Sequence, residues 1–216
     1  MKKGPHFRIA KALAPITICL LGLSLIDAPF IEVQHLQHTP TVLFIFFLFF
    51  AEKRKWLSPL SLVSATVFFW LHILGARWAY SDVPYDQWTD ALSGFSLTES
   101  MGWKRNHYDR LVHFAFGLLA TIPASEAMTR ILKLSRRTAL IGAFLFIGFA
   151  SAAYEVFEWF ITLVLSSNQS ENYNGQQGDF FDAQKDMFLA ILGSFILIAI
   201  NWRKASENLQ RKSKGR

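Results

Sequence analysis

The chain has one cysteine, Cys19, among 216 residues. A secreted fold stapled by disulfides is therefore excluded, since one thiol closes no loop. Cys19 also sits in an apolar run with no charged neighbour, which argues against a thiolate nucleophile. Several catalytic signatures are missing as well. There is no G-x-S-x-G elbow, no H-E-x-x-H pair, no Walker loop and no paired motif of the phosphatidate-type membrane phosphatases. Polar stretches are too short for a separate soluble domain of ordinary size.

Apolar residues are abundant, at 52%, and they are clumped. Six stretches are long or apolar enough to enter a bilayer, which needs roughly 20 residues per helix. They lie at about 12–30, 33–51, 59–80, 108–132, 138–165 and 181–202. The first follows Lys2, Lys3, Arg8 and Lys11, as a signal peptide would. It is too long for one and lacks a small-residue cleavage site, so an uncleaved helix is expected. The expected fold class is all-α: a polytopic transmembrane bundle of about six helices over 12–202. A basic N-terminus, 1–11, precedes it and a basic tail, 203–216, follows.

Lysine and arginine set the expected orientation. With the N-terminus inside, 17 of the 22 fall in cytoplasmic segments. The other five are Arg77, Lys104, Arg105, Arg110 and Lys185. Both termini are thus expected in the cytoplasm, and the net charge of +6 is read as a topology signal. Membrane lipids are the expected partners of the basic tail, and nucleic acid is not. The longest outside loop, 81–107, carries Trp88, Phe95 and Trp103, which suits a segment at the membrane surface. Oligomeric state is not encoded in any pattern here.

Acids lie where a bilayer disfavours them, each costing roughly 2.5–3.5 kcal/mol on insertion scales. YDRLVHF places Asp109 and His113 at i and i+4, on one helix face. YEVFEW places Glu155 and Glu158 at i and i+3. QGDFFDAQKDM spaces Asp179, Asp182 and Asp186 within about 60° of one another if the helix already includes Asp179. All of these, with His72, fall near the outer ends of their helices. If helices three to six pack together, the groups line one pocket. Arg110 and Lys185 would offset some of the charge, and a divalent cation more of it. Carboxylates with a histidine suit Zn²⁺, Mn²⁺ or Fe²⁺, and an all-oxygen set suits Mg²⁺ or Ca²⁺. The candidate catalytic residues are Asp109, His113, Glu155 and Glu158. The candidate substrate contacts are Arg110 and Asp179. The candidate metal ligands are His113, Glu155, Glu158, Asp182 and Asp186.

Structural roles compete for some of these positions. Asp179 could cap the last helix, and Asp109 could pair with Arg110 or with a neighbouring backbone group at the helix start. Glu126 is expected to pair with Arg130 at i+4, Arg77 to snorkel to the outer surface, and Gly117, Gly142, Gly148 and Gly193 to serve helix packing.

The runs LHILGARWAYSDVP, RNHYDRLVHFAFG, YEVFEW and QGDFFDAQKDM together resemble the YjdF-type bacterial inner-membrane proteins, in order and spacing, over about 40–202. More distantly, the acid and His opening one helix, the Glu on the next and the paired Asp on the last are similar to VanZ-like membrane proteins. The resemblance implies a bacterial inner-membrane location and a six-helix domain, and supplies no activity.

Three functions compete. The first is a membrane enzyme with a carboxylate–His pocket near the periplasmic face, acting on a lipid-linked or envelope substrate, with a divalent metal as its cofactor. The second is a proton or cation carrier, and the third a non-catalytic module that binds a lipid headgroup or an envelope partner. The single layer of acids favours the first over a relay, which needs groups at several depths.

Overall fold

A computed structural model describes residues 9–165, 169 and 173–214. The basic stretch 1–8, loop positions 166–168 and 170–172, residues 215–216 and the side chains from 203 onward lie outside the described residues. Eight helices are present and no strand, among the described residues. They are α1 (Ala10–Leu25), α2 (Ile31–Arg54), α3 (Pro59–Arg77), α4 (Tyr85–Ser93), α5 (Leu97–Met101), α6 (Tyr108–Arg130), α7 (Arg136–Val164) and α8 (Asp182–Lys214). Helices α2, α3, α6, α7 and the part of α8 up to Trp202 are long and apolar enough to cross a membrane. A bilayer admits this architecture because each helix satisfies its own backbone groups.

The first helix is shorter than the run 12–30 implied. It has 16 residues, about 24 Å, against a hydrocarbon core of about 30 Å. The chain turns at Asp27, whose φ is +47°. Arg77 is the partner of this truncated end. It does not simply snorkel to water: Nη1 donates to the carbonyls of Leu23 (3.2 Å), Ser24 (3.0 Å) and Ile26 (2.7 Å), supplying donors to carbonyls that a helix terminus leaves orphaned.

The opposite ends are closed by carboxylates. Glu52 accepts from the Ala10 amide at the start of α1, at 3.0 Å. Ser58 caps α3 by accepting from the Ser61 amide, with Pro59 in the first turn. Glu126 then accepts from the Ser58 amide and hydroxyl, both at 2.8 Å, and from the Ser61 hydroxyl. Its pairing with Arg130, at 2.5 Å, is present as expected. The acid also neutralises the positive end of the α3 dipole.

Two packing groups make the bundle. Helices α1, α2 and α3 contact one another; α6, α7 and α8 do the same; α3 on α6 joins them. Helix α2 has no backbone-close neighbour in α6, α7 or α8. The tightest seam is between α6 and α8. A Cβ at Gly117 would stand 1.9 Å from the Ala190 carbonyl oxygen, and one at Gly193 2.3 Å from that of Phe114. Small residues that let helix backbones touch are the usual basis of association in lipid. The Thr121 and Ser194 hydroxyls share a hydrogen bond across this seam, at 2.7 Å.

At one end, Trp159, Phe160, Phe180 and Phe181 project outward, a position that suits an aromatic belt. The loop 81–107 at this end folds into α4 and α5, pinned by Asp86, which accepts from the Thr98 amide and the Ser96 hydroxyl, both at 2.9 Å. The amide of Thr98, first among its donors, holds the Asp86 carboxyl below its ordinary value.

Candidate functional site

The site grows from the segment that leads into α6. Asn106 fixes that entry: its amide nitrogen donates to the Val83 carbonyl at 2.8 Å, and its side-chain oxygen accepts from the Tyr108 amide at 3.0 Å. Arg105 is thereby turned inward. It forms ion pairs with Asp109 and Asp182, and donates to the carbonyls of Gly175 and Gln176 at 3.1 Å each. Asp109 pairs with Arg105 rather than with the Arg110 guanidinium, because the non-helical segment before α6 folds Arg105 back over the first turn; the Arg110 backbone amide donates to the other Asp109 oxygen, at 2.7 Å. The Arg110 guanidinium instead takes Asp179.

Asp179 does not belong to α8, which starts at Asp182. It lies in the preceding turn, where its carboxylate accepts from the Phe181 amide at 3.1 Å and from Lys185 at 2.6 and 2.8 Å. The Lys185 ammonium foremost, aided by that amide and Arg110, holds this carboxyl far below the usual range. A depressed carboxyl contributes stability above its ordinary pKa and loses it as pH falls toward the folded-state value. Asp179→Asn should therefore lower the thermal midpoint at pH 7, and the gap from the parent should shrink below about pH 4. Thermal melts at pH 7 and about pH 3 check this; equal gaps would mean that the charge contributes nothing.

Beneath this outer network lies a second layer. His113 of α6, Glu155 of α7 and Asp186 of α8 each offer a ligand atom, all within 4.8 Å of one another. His113 Nε2 and Glu155 Oε1 are 3.8 Å apart, too far for a hydrogen bond. Glu155 Oε1 and Asp186 Oδ1 are buried with no hydrogen-bond partner, although the Glu155 side chain is only 9% and Asp186 4% exposed. Asp109, Asp182 and Asp186 make another close trio, but Arg105 engages two of its three members. One histidine and two carboxylates fit Zn²⁺, Mn²⁺ or Fe²⁺.

Glu158 stands one turn further along α7 and takes no part in either trio. It lines a cavity of about 210 Å³, together with Asp109, His113 and Asp186. The remaining wall is largely aromatic, from Phe68, Phe69, Phe116, Tyr80, Tyr154 and Tyr173. Helices three to six of the sequence reading, now α3, α6, α7 and α8, thus do converge, and α2 adds Pro40.

Sequence reading missed several contributors. From the sequence Arg105 reads only as an outside charge, because it precedes α6 and no helical periodicity ties it to Asp109. Tyr80 reads, from the sequence, as the end of a helix. The third helix instead stops at Arg77, and Ala79 and Tyr80 both take left-handed backbone, with φ of +47° and +58°. Such residues cost of order 1–3 kcal/mol each, and here they turn the Tyr80 ring inward. Gln34, Gln37, His38 and Thr41 form a buried polar face on α2, each with one unpartnered atom. Their i, i+3, i+4, i+7 spacing was legible in IEVQHLQHTPT.

Five span-length helices around an acid-lined, aromatic cavity define a multi-pass membrane protein. The chain belongs to the family described as predicted membrane protein (DUF2238), which matches residues 9–206. It is similar to the inner membrane protein YjdF of Escherichia coli (strain K12), with 29% identity over 177 residues, covering 82% of this chain and 80% of that protein. No solved structure matches the chain.

Proposed function

We propose that the protein is a divalent-cation-dependent enzyme of the bacterial inner membrane, acting on the polar head of a lipid-linked substrate, with its site end toward the periplasm. The observation that carries this reading is the trio His113, Glu155 and Asp186: three helices deliver three ligand atoms within 4.8 Å, and two of the carboxylate oxygens have no other partner. A buried polar atom without a partner is costly, and a cation supplies the missing bonds. When bound, such an ion polarises a phosphoryl or carbonyl oxygen.

The chain's own residues do the rest. Arg105 ties the α6 entry to the turn before α8 and so keeps His113 and Asp186 in reach of each other. The aromatic wall excludes bulk water. Access fits a lipid: α2 and α7 meet through side chains alone, Val33 with Ile161 and Tyr173, without close backbone contact, and the cavity has wall residues from both helices, Pro40 and Tyr154 among them. An apolar chain can remain in the bilayer while its head enters. The inner-membrane location is supported by the name of the relative, and the periplasmic orientation by the distribution of Lys and Arg.

Elemental analysis of detergent-purified protein, from metal-replete growth and without chelators, tests the reading. About one divalent ion per chain is expected in the parent protein. Glu155→Gln and Asp186→Asn should each lower metal affinity by about 100-fold or more, since even outer-shell changes cost 10–100-fold. A folded parent protein free of metal would overturn it.

A further inference from the structure

The cavity wall is short of one kind of group. Among the described residues neither Lys nor Arg lines it, whereas Glu158, Asp186 and Asp109 do, and Asp109 is already neutralised by Arg105. Its unpartnered buried atoms are the Ser151 hydroxyl, the Asn174 side-chain oxygen and the Asp186 carboxylate oxygen. Ser151 is only 2% exposed, so water does not reach it freely.

Tyr80 extends this set. His72 Nε2 lies 2.8 Å from the Gln37 carbonyl oxygen, which can only accept, so Nε2 carries the hydrogen. In the neutral ring Nδ1 then accepts, and the Tyr80 hydroxyl is its donor. The phenol proton is committed to His72, and the Tyr80 oxygen has only lone pairs left for the cavity. Consecutive left-handed residues and a glycine enforce this placement: a Cβ on Gly75 would stand 2.5 Å from the Tyr80 ring.

Acceptors, a carboxylate and aromatic rings, without an opposing Lys or Arg, make a binding site for positive charge. We propose that the cavity holds an ammonium group between Glu158 and the rings of Tyr80, Tyr154 and Phe116, and that its ligand is a phospholipid with an ammonium-bearing head. The enzyme reading decides what happens to that head; its binding does not depend on that reading. The two meet in one molecule, since a phosphate two carbons from the ammonium would reach toward His113, Glu155 and Asp186.

The test is calorimetric titration of the full-length protein in detergent with dihexanoyl phosphatidylethanolamine, phosphatidylglycerol and phosphatidic acid, and with free ethanolamine. The ethanolamine lipid should bind about tenfold more tightly than the other two. Glu158→Gln should erase that preference, and Phe116→Leu, which keeps the packing volume, should weaken it by about threefold. The two variants test the site independently, should one fail to fold. Equal binding of the three lipids by the parent protein would overturn the proposal. A preference insensitive to both variants would overturn the placement. Tight free ethanolamine with no lipid binding would retain the ammonium site and overturn the lipid. Repeating the titration after chelation separates the two readings. Preference retained in a protein that never held metal sinks the enzyme reading alone, whereas a metal-loaded protein that binds all three lipids equally sinks this one alone.

Discussion

Replacing Arg105 with Met will lower stability by about 3–5 kcal/mol, the range for breaking a buried ion pair from one side. The Arg105 side chain is 8% exposed, and its partners Asp109 and Asp182 are 12% and 6% exposed. Methionine fills much of the same volume, so the loss comes from Asp109 left without a cation and Asp182 left with Arg110 alone, at 3.5 Å, while the Gly175 and Gln176 carbonyls each lose one of their donors. Adding Asp109→Asn and Asp182→Asn should restore more than half of the loss, because the uncompensated charges are then gone. The single variant carries a second signature. Once freed, Asp109, Asp182 and Asp186 form an all-oxygen set of the kind that suits Mg²⁺ or Ca²⁺. Millimolar Ca²⁺ should therefore raise the thermal midpoint of Arg105→Met more than that of the parent. A loss below about 1 kcal/mol, the level of an exposed ion pair, would mean that Arg105 does not neutralise this layer.

Gly117→Ala is expected to be the most damaging single methyl group in the chain. On helix propensity alone, alanine would gain about 1 kcal/mol over glycine. Here the new carbon would stand 1.9 Å from the Ala190 carbonyl oxygen and near the Ser194 amide. These are backbone atoms, so no side chain can rotate out of the way, and α6 and α8 must separate. Overpacking costs about 1–3 kcal/mol and occasionally more, and the Thr121–Ser194 hydrogen bond is stretched with it. Gly22→Ala in α1 is the control: nothing lies within 4 Å of its added carbon, so it should be neutral or stabilising. Thermal midpoints of the two variants in one detergent decide the matter, and similar values would refute the close seam. The damage should reach the site as well. His113 lies one turn before Gly117 and Asp186 one turn before Ala190, so separating the helices pulls two of the three metal-ligand candidates apart. Metal content in Gly117→Ala should fall with stability.

Much of this molecule follows from local pattern. The apolar runs 108–132 and 138–165 became α6 and α7 with ends within two residues, because in lipid a segment that long has no alternative to satisfying its own backbone. The faces of the site were equally legible. Asp109 with His113, Glu155 with Glu158, and Asp182 with Asp186 share faces by helical periodicity alone, and the cost of placing acids in a bilayer marked them as related.

Partner choice was another matter. From spacing, Asp109 could take Arg110 as readily as Arg105, and Asp179 could open the last helix. Arg77 read as a surface charge, whereas it closes the end of α1, and Tyr80 read as the last residue of a helix, whereas it stands in the cavity wall. The residues themselves determined that the chain is a bundle of membrane helices with one acidic layer near one end. Only the tertiary structure decided that a guanidinium holds Asp109 and Asp182 while one oxygen each of Glu155 and Asp186 is left without a hydrogen-bond partner. The physical reason is that helix periodicity acts within one segment. Pairing between segments depends on how far each helix is turned and shifted against the next, and here the backbone contact at Gly117 and Gly193 sets that offset.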